Sequence, residues 1–405
     1  MRRTLPIALV LFSLAIVALL VRKPKRDDLP PKTKLPEPTS SMPFLSKLAS
    51  PPDWNDLEIY QQAVSKEQFR TDLTHVFSLP KAWQPSISIE EDAAWILHRQ
   101  KSPKFDQSKI TFAREATAPP HLPPLDELHI AIDPGHIGGK FAKIEQRSFL
   151  PPSSDDTLIP VQEGDLTLAT AKHLKPLLEK LGAKVTLVRE STHPVTAERT
   201  EDFLPDFPNR AQANKLFYRT SEIRARAALV NNDIKPDLVL CLHYNAEAWT
   251  NPINPWASRN HFHILVNGAY MPGEIALEDQ RFEMLRHLYT QSTRRALPLA
   301  RTISDVFLRE TDLIPYHYHP GDNALHVDST RPIYARNLLA NRLYQAPTVY
   351  LEPYVMNNRE VFGRVQLGDY EGYQNINGKP RRSLVREYAH TIEQAFIEHF
   401  AKPSP

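Results

Sequence analysis

The sequence predicts an α/β protein with an open, mostly parallel sheet and helices on both of its faces. Four short apolar runs, at 128–132, 184–188, 237–242 and 348–351, have the length and composition of buried parallel strands. Helical patterns alternate with these runs, as they do in sheets whose parallel strands are joined by crossover helices. Hydrophobic residues make up 41% of the 405 residues, which is enough apolar material for a core of this kind.

Three helical patterns accompany the predicted strands. The first covers 166–181, where four leucines share one stripe and Gly182 stands at the position of a C-cap. The second covers 221–230 and precedes the third strand. The third covers 383–400 and closes the α/β region.

Charge, cysteine content and proline content exclude several classes of protein. The chain has 49 Lys+Arg and 47 Asp+Glu, and so balanced a charge predicts no nucleic-acid partner. Its one cysteine, Cys241, excludes an intramolecular disulfide and a metal site with several cysteines. Many of the 37 prolines fall within 22–52 and 116–125, and this composition predicts extended spacers there.

The N-terminus carries an apolar segment at 5–21 with basic residues on both sides. As a helix it would span about 25 Å, the short end of what crosses a bilayer. The segment is somewhat long for a secretory peptide, and its only small-x-small pair lies inside the apolar run. Residues 1–26 are therefore predicted to be an uncleaved signal anchor rather than a cleaved signal peptide. Under either interpretation, the rest of the chain would be exported to the periplasm or another extracytoplasmic location.

A small mixed α+β unit is predicted between the two spacers. Ser65 and Gln68 form a capping-box pattern at the start of a helix that presents Phe69, Leu73, Val76 and Phe77 on one face. Alternation at 85–89 predicts a short strand, and 93–98 is predicted to form a second helix.

These patterns divide the chain into five regions, for which the boundaries are predictions. They are the signal anchor or signal peptide at 1–26, a Pro-rich linker at 27–52, the small α+β domain of unknown role at 53–115, a second Pro-rich linker at 116–125 and the α/β domain at 126–402.

The ends of the predicted strands carry the candidates for chemistry. His136 follows the first strand, His243 the third and Glu352 the last, while Glu163 precedes the helix at 166–181. In sheets of this class, ligands bind beyond the carboxyl ends of the strands. Two histidines and a glutamate are the ligands of an open catalytic zinc site, and a further glutamate would act as general base. Spacing alone leaves structural roles open, namely capped histidines, a helix-terminal carboxylate and an ion pair.

Four motifs, in order along 126–402, resemble the zinc-dependent N-acetylmuramoyl-L-alanine amidases of type 3. They are Ile132-Asp-Pro-Gly-His136, Glu163 at the start of a helix, Leu242-His-Tyr-Asn-Ala246 and Leu351-Glu-Pro-Tyr-Val-Met-Asn-Asn358. A segment at 292–306 is similar to a helix of the same family, and the segment around 334–336 is similar to the one that precedes its last strand.

The resemblance implies a set of roles for these residues. His136, Glu163 and His243 would hold one Zn²⁺ ion, and Glu352 would be the general base for the water that zinc activates. Asn245 and Arg336 would lie near the substrate. That substrate would be peptidoglycan, cleaved at the amide between N-acetylmuramic acid and L-alanine.

The chain departs from the family pattern around the first histidine. Ile137 interrupts the usual His-Gly-Gly run, and the interval from His136 to Glu163 is about twice the usual length. Glu145 is therefore an alternative third ligand. Two further insertions, at 191–216 and 268–290, could narrow the groove, bind a partner or cover the site.

Two other functions stay open on the sequence. One is a zinc carboxypeptidase or other amidohydrolase that cuts elsewhere in the stem peptide, and the other is a cell-wall-binding protein without activity. A protein activator is also possible, and the sequence does not indicate which. His261 with His263, and His317 with His319, have the i,i+2 spacing that places two side chains on one strand face, but no carboxylate is adjacent and no metal is expected there.

Overall fold

The structure is a computed structural model, and it describes residues 44–99, 105–119, 121–249, 254–319 and 321–401. The predicted membrane segment at 5–21 lies outside the described residues, as do the rest of 1–26 and residues 27–43 of the first linker. Within the described ranges, no helix combines the length and the apolar composition needed to cross a bilayer.

The strands of the described ranges are short. In chain order they are β1 (Ile87–Ile89), β2 (Ala93–Arg99), β3 (Phe105–Thr111), β4 (His129–Pro134), β5 (Ser148–Phe149), β6 (Val161–Gln162), β7 (Lys184–Leu187), β8 (Leu238–Leu242), β9 (His261–Val266), β10 (Ile314–Pro315), β11 (Leu325–His326), β12 (Ile333–Ala335), β13 (Thr348–Glu352), β14 (Gln374–Ile376) and β15 (Lys379–Arg381).

The α-helices vary from one turn to five. They are α1 (Lys66–Asp72), α2 (Glu163–Lys180), α3 (Thr200–Phe203), α4 (Arg210–Leu216), α5 (Glu222–Ala228), α6 (Pro272–Ile275), α7 (Glu278–Tyr289), α8 (Ser292–Glu310), α9 (Leu339–Leu343), α10 (Arg359–Gln366) and α11 (Leu384–Ala401). Turns of 3₁₀ helix cover Trp54–Tyr60 and Gly139–Phe141, and π-helical turns cover Leu73–Phe77, Phe217–Ser221 and Leu229–Ile234.

The central sheet has the strand order β11-β12-β9-β13-β8-β4-β7, with β10 beside β9. Strands β7, β4, β8 and β13 are parallel neighbours, as predicted. Strand β9 is antiparallel to β13, because the described residues between β8 and β9 form no crossover helix and the chain re-enters the sheet from the edge at which β8 ended. The α/β class is confirmed, and the sheet is mixed.

Apolar side chains cover both faces of this sheet, as expected for an α/β protein. On one face, Ile130 and Ile132 of β4 share a core with residues of α2, α8 and α11, among them Leu174 and Ile303. On the other face, smaller side chains such as Ala131 pack with residues of α5 and of the segment around α9. Helices therefore lie on both faces, and the sheet edges remain available for polar side chains.

The small N-terminal unit contains the predicted helix and a three-stranded antiparallel sheet. The capping box is present: Ser65 Oγ accepts from the Gln68 amide at 3.2 Å, and Gln68 Oε1 accepts from the Ser65 amide at 3.0 Å. The helix predicted at 93–98 is wrong, because this segment is β2, the central strand between β1 and β3. Pairing on both sides outweighs the local helical pattern.

The core of this small unit extends to a helix that comes much later in the chain. Trp54 and Phe69 lie in the same buried cluster as Phe282 and Leu285 of α7. Helix α7 belongs to the insertion at 268–290. This insertion therefore packs against the small unit.

The other insertion lies against the loop that follows β4. Its helices α3 and α4 contribute Phe203 and Leu216 to a buried cluster, which also contains Phe217 and the fully buried Ile137. The departure from the family pattern at Ile137 thus has a packing explanation. An apolar side chain at this position contacts the inserted helices.

Candidate metal centre

The four predicted site residues stand at one edge of the central sheet. Glu352 is the last residue of β13, His243 directly follows β8, and His136 lies two residues beyond β4. Glu163 is the first residue of α2. One ligand atom from each of His136, Glu163 and His243 lies within 4.8 Å of the other two.

The Glu163 carboxylate lies between the two histidines. Its Oε2 is 3.2 Å from His136 Nε2 and 3.1 Å from Arg147 Nε, and its Oε1 is 2.9 Å from His243 Nδ1. The Tyr244 amide also donates to Oε1 at 3.2 Å. Burial disfavours the charged form of Glu163, but the charges of the histidines and of Arg147, with the hydrogen bond from His243, outweigh it and lower its pKa to about 2.

Two glycines allow the loop after β4 to approach its neighbours. A Cβ on Gly135 would lie 2.2 Å from the His243 ring, and a Cβ on Gly164 would lie 2.3 Å from the backbone nitrogen of Gly138. His136 itself has a positive φ of 57°, which costs a non-glycine residue free energy. The close packing on both sides holds His136 in this conformation.

Glu145, the alternative third ligand, lies behind His136. Its carboxylate accepts hydrogen bonds from the amides of Ile137 at 2.9 Å and Gly138 at 3.0 Å, and it is 3.4 Å from His136 Nδ1. Glu163 faces the opposite ring nitrogen, Nε2. The geometry therefore groups Glu163 with the two histidines, whereas Glu145 contacts the loop and the far side of the imidazole.

A buried arginine of α5 holds the loop after β4, and this contact was not predicted from the sequence. Arg226 of α5 donates to Asp133 Oδ1 at 2.9 Å, to the Pro134 carbonyl at 2.8 Å and to the His136 carbonyl at 2.8 Å. Its Nε donates to Glu222 at 2.7 Å. Arg226 therefore joins the Asp133 carboxylate to the backbone of the loop that carries His136.

A second arginine joins the loop to helix α2. Arg189, which follows β7, donates to the carbonyls of Gly164 at 2.6 Å, Gly135 at 3.1 Å and Pro134 at 3.0 Å. A charged residue at the end of an apolar strand was the available signal, since a guanidinium in that position needs several buried acceptors.

Glu352 lies beside the candidate ligands and is half-buried. Burial, together with the negative charge of Glu163, raises the pKa of Glu352 to about 8. Two residues earlier on the strand, Tyr350 stacks on the His243 ring with 4.3 Å between ring centroids. The two carboxyl groups of the site therefore have pKa values shifted in opposite directions.

The two predicted substrate-binding residues lie outside the His-Glu-His group. The Asn245 side chain is 3.5 Å from Nδ1 of both His261 and His263, and Arg336 Nη1 donates to the Tyr318 hydroxyl at 3.1 Å. In the sheet register, His263 pairs directly with Glu352. The position of His263 next to the site was not predicted from the sequence, because no local pattern shows that β9 begins at this edge of the sheet.

A mixed α/β sheet with two histidines, a buried ionised glutamate and a second carboxyl group at one edge has the arrangement of a metal-dependent hydrolase. The family model described as N-acetylmuramoyl-L-alanine amidase matches residues 130–376, more than half of the chain. The chain belongs to this family. It is a hydrolase of the amide bond between N-acetylmuramic acid and L-alanine in peptidoglycan, as the sequence predicted.

Solved amidase structures are similar to this chain at low identity. AmiC2 of Nostoc punctiforme is 14% identical, covers 68% of this chain and 98% of its own, and has a TM-score of 0.38. The CwlD amidase of Clostridioides difficile, solved in complex with the GerS lipoprotein, is 14% identical with the same two coverages and a TM-score of 0.41. Ami1 of Mycobacterium smegmatis is 16% identical, covers 68% and 97%, and has a TM-score of 0.37. No curated protein sequence matches the chain, so the family assignment rests on the family model.

Proposed function

We propose that the chain cleaves peptidoglycan as a zinc enzyme, in which His136, Glu163 and His243 hold one Zn²⁺ ion and Glu352 is the general base. The convergence of these four side chains from β4, α2, β8 and β13 on one sheet edge carries the proposal. Two histidines and one glutamate leave a coordination position free, as catalytic zinc sites require.

The donor set fits zinc in charge as well as in geometry. The low pKa of Glu163 keeps this ligand ionised over the whole physiological range. Glu145 supports His136 from the other ring nitrogen, in the way that outer carboxylates orient metal-binding imidazoles. A metal ion would also offset the concentration of negative charge from Glu163 and Glu352.

The chain's own residues supply binding and proton transfer. Zinc, when bound, would act as a Lewis acid that activates water and polarises the amide carbonyl. Glu352 would accept the proton of the attacking water and pass it to the nitrogen of the leaving L-alanine as the C–N bond breaks. Burial and the charge of Glu163 raise the pKa of Glu352 to about 8 in the metal-free site, and the charge of a bound Zn²⁺ ion would lower it and favour the ionised form that a base requires.

The substrate would extend along the same edge toward Asn245 and Arg336. Both residues border the histidines at the start of β9, next to Glu352 in the sheet. An amide and a guanidinium at this place offer hydrogen bonds to the polar stem peptide.

Location and organisation beyond the catalytic region are also proposals. An enzyme of the cell wall acts outside the cytoplasm, in the periplasm or an equivalent compartment, and the segment at 5–21 would anchor it to the membrane. The spacers at 27–52 and 116–125, and the unit at 53–115 between them, would present the domain at 126–402 to the wall. A protein activator would be a further partner.

The test uses the full chain and isolated peptidoglycan, with zinc added or removed by a chelator. Mass spectrometry should find newly exposed N-terminal L-alanine with zinc and none with chelator. Glu352→Gln should retain zinc and lose activity by a factor of about 10² to 10⁴, since general-base catalysis contributes about that much.

Other outcomes would overturn parts of the proposal. New termini elsewhere in the stem peptide would indicate a carboxypeptidase or another amidohydrolase. Zinc-loaded protein that binds sacculi without releasing any product would indicate a wall-binding protein. Full activity in Glu352→Gln would remove Glu352 from the mechanism. The matched control is Glu360→Gln, the exchange of another half-buried glutamate, in the first turn of α10.

A further inference from the structure

The edge of the sheet beyond Glu352 carries a second set of polar side chains that the zinc mechanism does not use. Leu242 pairs with Leu351, which places His243 beside Glu352, and Glu352 pairs with His263. The three side chains therefore form a row on one face across β8, β13 and β9, with neighbours about 4.8 Å apart. His263 flanks Glu352 on the side away from the candidate ligands.

His263 belongs to a hydrogen-bonded chain with a defined direction. Arg336 Nη1 donates to the Tyr318 hydroxyl at 3.1 Å, and that hydroxyl is 3.2 Å from His263 Nε2. The hydroxyl accepts from the guanidinium, which can only donate, and its own proton remains available for donation to Nε2. Burial, with the charges of nearby His261 and Arg336, lowers the pKa of His263 to about 3, so the ring is neutral and its Nε2 can accept this proton.

The outer end of this chain is a cation without an acidic partner. In the part of the chain that the structure describes, no carboxylate lies within ion-pair distance of Arg336, whose side chain is half-buried. Of the other arginines close to the site, Arg147 and Arg226 each contact a glutamate, and Arg189 donates to the carbonyls of Pro134, Gly135 and Gly164. A fixed guanidinium with unused donors at a partly buried position is a receptor for a carboxylate.

Distances suggest which carboxylate of the substrate would reach it. Arg336 follows β12, which is two strands away from β13, or about 10 Å across the sheet. In an extended stem peptide, the second residue lies about 7 Å from the amide that is cleaved. The arginine side chain spans the remaining distance.

We propose that His263 and Tyr318 are positioning residues that hold Arg336 as a receptor for the α-carboxylate of the second stem-peptide residue. The enzyme then favours stems in which this group is a free carboxylate over stems in which it is an amide. The inference rests on the proposed function, because it places the cleaved bond next to Glu352.

The experiment compares two muropeptides that differ only in this group, carboxylate or amide, with the zinc-loaded full chain. Wild-type protein should cleave the carboxylate form with a kcat/KM about tenfold higher or more, as a charge-assisted hydrogen bond provides. Arg336→Gln should abolish this ratio, because KM should rise more for the carboxylate form than for the amide form.

The positioning residues have their own variants and a matched control. Tyr318→Phe and His263→Phe should each reduce the ratio, and His263→Gln should restore part of it, because the glutamine oxygen can accept the Tyr318 proton. Tyr316 contacts the His263 ring at 4.9 Å between centroids but has no contact with Arg336 in the hydrogen-bonded chain. Tyr316→Phe should keep the wild-type ratio.

The outcomes separate this inference from the proposed function. If wild-type protein cleaves neither muropeptide, the proposed function fails. Equal cleavage of both forms, or variants that slow both forms equally, would overturn the carboxylate receptor while leaving the amidase intact. Binding of the two muropeptides to Glu352→Gln, measured by calorimetry, gives the same comparison without turnover, and equal affinities there would also overturn it.

Discussion

Two halves of one sheet edge use histidine in different ways. In the half around β4 and β8, His136 and His243 both contact the Glu163 carboxylate. In the half around β9, His263 contacts the Tyr318 hydroxyl, and its pKa is lowered to about 3 by burial and neighbouring positive groups. The groups in contact with each histidine therefore determine its role. His136 and His243 contact a carboxylate and could hold a metal ion with it, whereas His263 belongs to a hydrogen-bonded chain that ends at Arg336.

Glu352 stands at the boundary between the two halves. Its pKa is raised to about 8, whereas that of Glu163 is lowered to about 2, although both carboxyl groups are in the same site. Glu163 has two histidines and an arginine in contact, and Glu352 has the charge of Glu163 beside it. Different neighbouring groups thus shift the pKa values of two glutamates in opposite directions, so that one suits a metal ligand and the other a base.

The largest effect on zinc binding and activity should come from removing the Glu163 carboxylate in the half around β4 and β8. Glu163→Gln removes the ionised ligand, and we expect zinc affinity and activity to fall by more than about 100-fold. Glu145→Gln should cost about 10- to 100-fold, as expected for a carboxylate that supports a ligand from outside. Calorimetric zinc titration and product release measure both. A larger loss for Glu145→Gln would reverse the assignment of the third ligand.

A second effect, on the free energy of unfolding, should come from removing Arg226, which supports the loop after β4 in this half of the site. Arg226→Met leaves Asp133 and Glu222 buried without their cation, and we expect the free energy of unfolding to fall by about 3–5 kcal/mol. The matched control is Arg301→Met, which breaks a more exposed pair with Asp328 and should cost about 1 kcal/mol or less. Urea denaturation compares the two, and equal losses would contradict the structural role of Arg226.

The pH dependence of stability gives a third test. In metal-free protein the pKa of Glu352 is raised above its unfolded value of about 4.5, so the folded state holds a proton that the unfolded state has lost. This group's contribution to stability is therefore complete below about pH 4.5 and is lost as the pH rises to about 8. Glu352→Gln should flatten that part of the stability profile, as followed by thermal unfolding with chelator present. An unchanged profile would show that Glu352 titrates normally.

Local patterns predicted the part of the site that depends on where parallel strands end. The runs at β4, β8 and β13 placed His136, His243 and Glu352 on one edge before any contact was known. The direction of β9 could not be predicted, because it depends on the path of the loop before it. For the same reason His263 was not expected beside Glu352.

Long-range contacts explain the other differences. Arg226 meets Asp133 across 93 residues of sequence, and no window of local periodicity contains both. The segment at 93–98 was predicted to be a helix because the seven residues of β2 show no strict alternation, and only pairing with β1 and β3 defines this strand. Residue types therefore predicted the candidate ligands, while the residues that hold them in place required the tertiary structure.

The shared core of the small N-terminal unit and α7 has a consequence for the order in which the protein folds. Phe69 and its neighbours cannot complete their packing until Phe282 and Leu285 are present. The ribosome adds these two residues about 170 residues after the end of β3. At about 5–20 residues per second, that interval lasts roughly 10–30 s. The core of the small unit, which is synthesised early, is thus completed only after α7 has been synthesised.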